Sequence, residues 1–143
     1  MNAANHDPYN LQRFIDAQNS VFDQVCSELR DGKKRSHWMW FIFPQIKGLG
    51  YSQLAQKFAI SSRGEAAAYL EHPVLGPRLR ECTELVNLIE GRPIEQIFGD
   101  PDDLKFRSCM TLFAQDTSDN EVFVRALQKY FADRPDPSTL QRL

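Results

Sequence analysis

Four of the six side chains in the run Trp38-Met39-Trp40-Phe41-Ile42-Phe43 are aromatic. A packed aromatic side chain buries ~150–250 Å², so a chain carrying this run has to build its core around it, with Trp38, Trp40 and Phe43 all inside. The residues just before it have the opposite character. Lys33, Lys34 and Arg35 must meet water or an anion, and Ser36 and His37 form the junction. Ser36 is a good N-cap and Pro44 has no amide hydrogen, so the spacing predicts a helix from Ser36 to about Phe43. That helix is apolar nearly all round and has to be enclosed by its neighbours. A buried strand would satisfy the same apolar density; the helical patterns on either side favour helix.

Those patterns recur along the chain. Asp7-Pro8 is a helix-start signal, and Leu11, Phe14, Ile15, Val21, Phe22, Val25 and Leu29 fall on one stripe that Gly32 ends. Gln18 shares that stripe, and a buried amide there has to be hydrogen-bonded, either to brace a neighbouring loop or to touch a ligand. After Gly48-Leu49-Gly50, Ser52 can cap a short helix. Ser62-Arg63-Gly64-Glu65 has capping-box spacing, and His72-Pro73 ends the helix it opens. Gly76-Pro77 opens a longer helix closed by Gly91, with Arg78 and Arg80 in its first turn. Pro93 to Phe98 makes one or two turns, ended by Gly99. Asp100-Pro101-Asp102-Asp103 starts another long helix; one face carries Phe106, Cys109, Met110 and Phe113, and another Leu104, Arg107, Ser108, Thr111 and Gln115. The hydroxyls of that second face either bond back to the preceding turn or line a polar pocket with Arg107. A polar link from Asp116 to Asn120 leads to a last amphipathic helix. Residues 133–143 form a Pro-punctuated tail to an ordered core of about 8–132. No stretch alternates over strand length and none repeats. The expected fold is all-α: one domain over 1–143, an irregular orthogonal helical bundle of about six or seven helices.

A net charge of −2 disfavours general nucleic-acid or acidic-membrane binding. No apolar run approaches the roughly 20 residues that span a bilayer. Residues 1–7 lack a basic segment followed by an apolar one. Cys26, Cys82 and Cys109 show neither Cys-x-x-Cys nor a zinc spacing, which fits reduced, packed thiols in a cytoplasmic protein. Nothing in the pattern specifies an oligomeric state or a cofactor.

Gly32-Lys33 is not a phosphate-binding loop, because Ser27 stands where the first glycine belongs and Lys34 where the hydroxyl does. The histidines His6, His37 and His72 are too scattered for a metal site. His37, read as the first residue of a helix beside Lys34 and Arg35, would be disfavoured as a cation and so be available as a neutral base or ligand contact. A half-buried histidine bonded to a carbonyl is the plainer alternative, and His72 reads as a turn residue.

The blocks Arg35-Ser36-His37-Trp38-Met39-Trp40-Phe41-Ile42-Phe43-Pro44-Gln45, His72-Pro73-Val74-Leu75-Gly76-Pro77-Arg78-Leu79, Ile97-Phe98-Gly99 and Asp103-Leu104-Lys105-Phe106-Arg107-Ser108-Cys109-Met110-Thr111-Leu112-Phe113 resemble the signature of a bacterial family. It is catalogued as domain of unknown function 1810 and sometimes mislabelled calpastatin. The resemblance runs from about Leu11 to Leu143 and implies an all-helical single domain, with no activity to carry over. The chain departs from the family pattern at Cys109, where a second serine is usual, and at Phe106, where an aliphatic residue is. A calpastatin-like inhibitor would be disordered, whereas this chain is patterned throughout for a core.

Two functions fit these residues. In the first, a small phosphate-bearing anion of nucleotide or ADP-ribose type binds, with or without hydrolysis, at a helix N-terminus. Lys34, Arg35 and the amides after Ser36 hold it, Trp38 or Trp40 stacks a base, Arg78, Arg107 and Ser108 complete the pocket, and His37 carries the proton. In the second the chain is an interaction module without chemistry, its aromatics all core and its cations meeting an acidic partner. Convergence of Arg35, His37, Arg78 and Arg107 on one cavity separates the two.

Overall fold

Asp7 accepts from the backbone amides of Leu11 (2.8 Å) and Gln12 (3.0 Å), and the first helix, α1 (Gln12–Asn19), begins only there. The stripe read as one helix is two: the chain bends at Ser20 and Val21 before α2 (Phe22–Arg30). The computed structural model describes residues 6–115 and 117–143. The leader reading of residues 1–7 falls largely, and the Asp116 end of the polar link wholly, outside the described residues. Gly32, with φ 76°, stops α2 as its position required.

Eight further helices follow: α3 (Met39–Ile42), α4 (Gln53–Lys57), α5 (Arg63–Glu71), α6 (Leu75–Asn87), α7 (Ile94–Phe98), α8 (Asp102–Phe113), α9 (Glu121–Phe131) and α10 (Pro137–Gln141). The fold is all-α; among the described residues there is no strand, only a single parallel bridge between Ile46 and Ile60. Among the described residues, six of the ten helices have eight residues or more. The other four are the one-turn pieces that sequence patterns blur into loops.

Caps act largely where the side chains required. Ser52 accepts from the Ala55 amide at 3.1 Å, and Ser62 from the Glu65 amide at 3.2 Å. Glu65 reaches one residue past its cap, taking the amide and hydroxyl of Ser61 (both 2.8 Å) and the Arg13 guanidinium (2.9 Å). His72 ends α5 and turns the chain into α6, its Nδ1 accepting from Val74 (3.0 Å) and Leu75 (3.3 Å). Gly76 permits the α5–α6 corner, since a Cβ there would lie 2.1 Å from the Leu70 carbonyl oxygen.

Helix α6 packs against α2, α5 and α9, and α8 against α5, α7, α9 and α10. Between them runs an aromatic seam. Phe43 meets Phe98 (5.7 Å, 87°) and Phe106 (5.0 Å, 89°) edge-on, and Phe14 meets Tyr69 likewise (5.1 Å, 86°). Trp38, Met39, Ile42 and Phe43 are buried in this seam, whereas Trp40 and Phe41 are only half-buried at its edge. Trp40 therefore differs from the fully packed residue its neighbours led one to expect.

The tail is also built into the fold. Asp136 caps α10, accepting from the Thr139 amide (3.2 Å) and hydroxyl (2.6 Å), and Thr139 is fully buried. No helix of the described residues is long and apolar enough to cross a membrane.

Candidate functional site

Glu28 lies on the inner stripe of α2 and is 3% exposed. A buried carboxylate is costly unless donors surround it. Here Oε1 accepts from the amides of Arg35 (2.7 Å) and Ser36 (3.1 Å) and from the Trp38 indole (3.0 Å). Oε2 accepts from the Ser36 hydroxyl and from Gln24 (3.0 Å). Burial pushes this carboxyl up, but the bonds from Ser36, Arg35, Trp38 and Gln24 outweigh it and hold the group down at about 2. The anion at the Lys33–Ser36 segment is thus supplied by the protein.

This carboxylate explains why the helix starts late. The chain at Arg35 and Ser36 wraps around Glu28, so α3 begins at Met39, with no side-chain cap. Ser36 is a ligand of Glu28 and not an N-cap, and His37 is an exposed loop residue before the helix, so the dipole argument for a neutral His37 does not apply. An acid on an apolar stripe is the signal that marks Glu28, the same one that drew attention to Gln18.

The cations are spread apart. Lys34 pairs with Asp102 at 3.0 Å and lies 5.3 Å over the Trp38 ring. Arg35 pairs with Asp31 at 2.9 Å in the open. Arg78 sits over Phe22 and donates to Gln18 (3.3 Å) and Asn19 (3.0 Å). Gln18 in turn donates to the Phe41 carbonyl (2.7 Å) and the Tyr69 hydroxyl (3.1 Å), which makes it a core brace. Arg107 holds the tail through the carbonyls of Arg134 (2.9 Å) and Pro135 (3.1 Å). Ser108 bonds to Leu104 O (3.1 Å) and Asp136 (2.9 Å), and Thr111 accepts from the Asp136 amide (2.8 Å). The hydroxyl face of α8 is therefore largely the seat of the tail. Among the described residues, the five main hollows have none of Arg35, His37, Arg78 and Arg107 in their linings.

Two hollows of about 460 Å³ each meet at Tyr51, which is 83% exposed. One lies between the 45–52 turn, Leu104, Lys105 and Ser108 of α8, and Asp136 and Ser138 of the tail. The other is lined by Lys47, Gln56, Ala59 and Ser61. Trp40 lies close by, sharing a small hollow with Gln45 and Lys105 and stacked under the Lys105 ammonium at 5.3 Å. Of the residues singled out from sequence, Trp40 and Ser108 border this region, and Ser36 and Trp38 meet at Glu28. Lys34 instead lines a separate groove of about 410 Å³ with Lys33 and Arg92, rimmed by Glu95. Among the described residues no group of three or more His, Cys, Asp or Glu could hold a metal ion. Burial pushes the Cys109 thiol and the Tyr69 phenol up, away from nucleophilic use. Tyr51 could have been noticed as an aromatic in a glycine-rich turn, although exposure leaves no periodic mark.

The chain resembles a solved structure, the conserved hypothetical protein Rv1873 from Mycobacterium tuberculosis. It is 56% identical over 96% of this chain and 98% of that one, with a TM-score of 0.95. No curated protein matches. Residues 8–143 match the family described as protein of unknown function (DUF1810). The chain belongs to that family.

Proposed function

We propose that this protein is an interaction module without small-molecule chemistry, and that it binds an extended segment of a partner protein across the two hollows flanking Tyr51. The observation that carries this reading is the contrast between an exposed Tyr51 ridge and cations that are committed elsewhere. Tyr51 and Leu104, 54% exposed, offer apolar contact over half-buried Trp40, and aromatic residues ringed by polar groups are the usual anchors of such surfaces. Lys47 favours a partner segment with a carboxylate beside its apolar anchor, while Lys105 is itself paired with Asp102 at 3.4 Å. The net charge of −2 supports the absence of general nucleic-acid binding, and the three free buried thiols support a reducing, cytoplasmic setting.

A second reading keeps the phosphate-bearing anion of nucleotide or ADP-ribose type and moves it. Lys33, Lys34 and Arg92 line one groove, and among the described residues Lys33 makes no ion pair. There His37, Arg35, Arg78 and Arg107 have no part.

One experiment covers both. A displayed library of extended peptides is panned on the protein, and the enriched peptides are titrated against wild type, Tyr51→Ala, Leu104→Ser and Arg35→Ala. Thermal shift with phosphate, ADP and ADP-ribose is measured in parallel at constant ionic strength. The interaction reading expects acidic peptides with an aromatic or aliphatic anchor, weakened about tenfold or more by Tyr51→Ala and unaffected by Arg35→Ala. Peptide binding indifferent to Tyr51 and Leu104 contradicts it. A nucleotide-dependent shift abolished by Lys33→Ala or Arg92→Ala establishes the second reading instead.

A further inference from the structure

The hollow between the 45–52 turn and α8 is walled in part by the C-terminal tail, through Asp136 and Ser138. Arg142 ties that tail to the turn. Its guanidinium donates to the Ser138 carbonyl (3.1 Å) within the tail and to the Gly48 carbonyl (3.3 Å) at the head of the turn. Position 48 needs glycine on two counts: its φ is +99°, and a Cβ there would lie 2.8 Å from Arg142 Nε. Resting on the interaction reading above, we propose that the tail is a strap whose docking completes the partner site. Arg142 is the positioning residue that holds the Tyr51 turn, and strap docking and partner binding are one linked equilibrium.

The strap is held by its contacts and not by its own backbone. Ala132 and Asp133, which join α9 to it, have φ of 53° and 60°, a region that is costly for any residue bearing a Cβ. Against that cost stand Arg107 on the carbonyls of Arg134 and Pro135, Asp136 bonded to Ser108, and the buried Thr139. Strain at the hinge favours release and the contacts favour docking, which is the balance a two-state element requires.

The turn depends on the strap in its turn. It is pinned at its head by Arg142 on the Gly48 carbonyl and at its foot by the Gln56 amide on the Tyr51 carbonyl (2.7 Å), with Gly50 between them. Loss of the first pin frees the stretch that presents Tyr51. A partner segment seated in the hollow meets Asp136 and Ser138 as well as Tyr51, so it binds the docked strap in preference to a released one. By reciprocity, such a partner also stabilises docking.

The test is hydrogen–deuterium exchange of the full-length protein, read by mass spectrometry over 47–53 and 137–143. Arg142→Ala should speed exchange of 47–53 about threefold or more and leave α6 unchanged, and Asp136→Ala should speed both segments. The probe for linkage is a synthetic peptide from the panning above, chosen because Tyr51→Ala weakens it. At saturation it should slow exchange of 137–143 in wild type, and Arg142→Ala should weaken its binding about threefold or more. A residue that merely supports the fold would not make the tail respond to the peptide. Exchange of 47–53 that is equal in wild type and Arg142→Ala overturns the positioning role. A Tyr51-dependent peptide that leaves 137–143 unaltered overturns the linkage alone, whereas the lack of any Tyr51-dependent peptide removes the interaction reading and the linkage with it.

Discussion

Glu28 shows how a single side chain sets the use of the residues around it. Its carboxylate gathers two backbone amides, a hydroxyl, an indole and a side-chain amide, and so removes from solvent the donors that a basic, serine-containing loop would otherwise offer a ligand. Glu28→Gln replaces an acceptor-only group with one carrying donors of its own and leaves part of that set unpaired. It should lower stability by about 2–4 kcal/mol in urea unfolding. The two tryptophans separate in the same way. Trp38→Ala should cost ~3–5 kcal/mol, as for a fully packed aromatic, whereas Trp40→Ala, at the edge of the seam, should cost about half as much. Equal losses for the two would contradict their different burial. The surface pair Arg35–Asp31 is at the opposite extreme, and Arg35→Ala should change stability by under ~0.5 kcal/mol. From the sequence, the burial of Trp38 and Phe43 is legible in the density of the run, but the edge position of Trp40 is not, since a six-residue run has no periodicity long enough to orient it.

Among the elements, the long helices follow from their stripes and stops, and the short ones depend on contacts that no local pattern records. Helix α3 loses its first turn because Ser36 turns to Glu28, a residue of the preceding helix. The α1–α2 bend leaves the stripe almost in phase, which is why seven apolar positions read as one helix. Helix α10 is different, because Asp136-Pro137 repeats the Asp-Pro start found at Asp7-Pro8 and Asp100-Pro101, and a tail of exposed, Pro-rich composition concealed it. The hydroxyl face of α8 was legible as unusual, and its occupant proves to be chiefly this tail. Asp136 caps α10 and also bonds Ser108, so Asp136→Ala should cost ~1–2 kcal/mol, the range for losing an N-cap. An unchanged stability with an unchanged m-value would mean that the tail contributes nothing to the cooperative unit.

At the scale of the whole molecule, the fold keeps apart Lys34, Arg35, Arg78 and Arg107, which the anion reading places around one ligand. Lys34 is turned toward α8, Arg35 back on α2, Arg78 onto the α1–α2 bend and Arg107 under the tail. Only distances across helices decide this, and they have no trace in residue spacing. The pH dependence follows from the internal anion. The carboxyl of Glu28 is lowered from an ordinary 4.5 to about 2 in the fold, so its contribution is fully present above about 4.5. It is lost as pH falls toward 2, on the order of 3 kcal/mol in all. Whether Glu28 is the anion of the Lys33–Ser36 segment is decided most directly by a carbon-detected NMR titration of its side-chain carboxyl, with the Trp38 indole proton followed in the same samples. A carboxyl that stays ionised down to about pH 2, with the indole proton moving in step, is the predicted result. A carboxyl that titrates near its ordinary value of 4.5 in folded protein, with the indole proton indifferent to it, would contradict the internal anion.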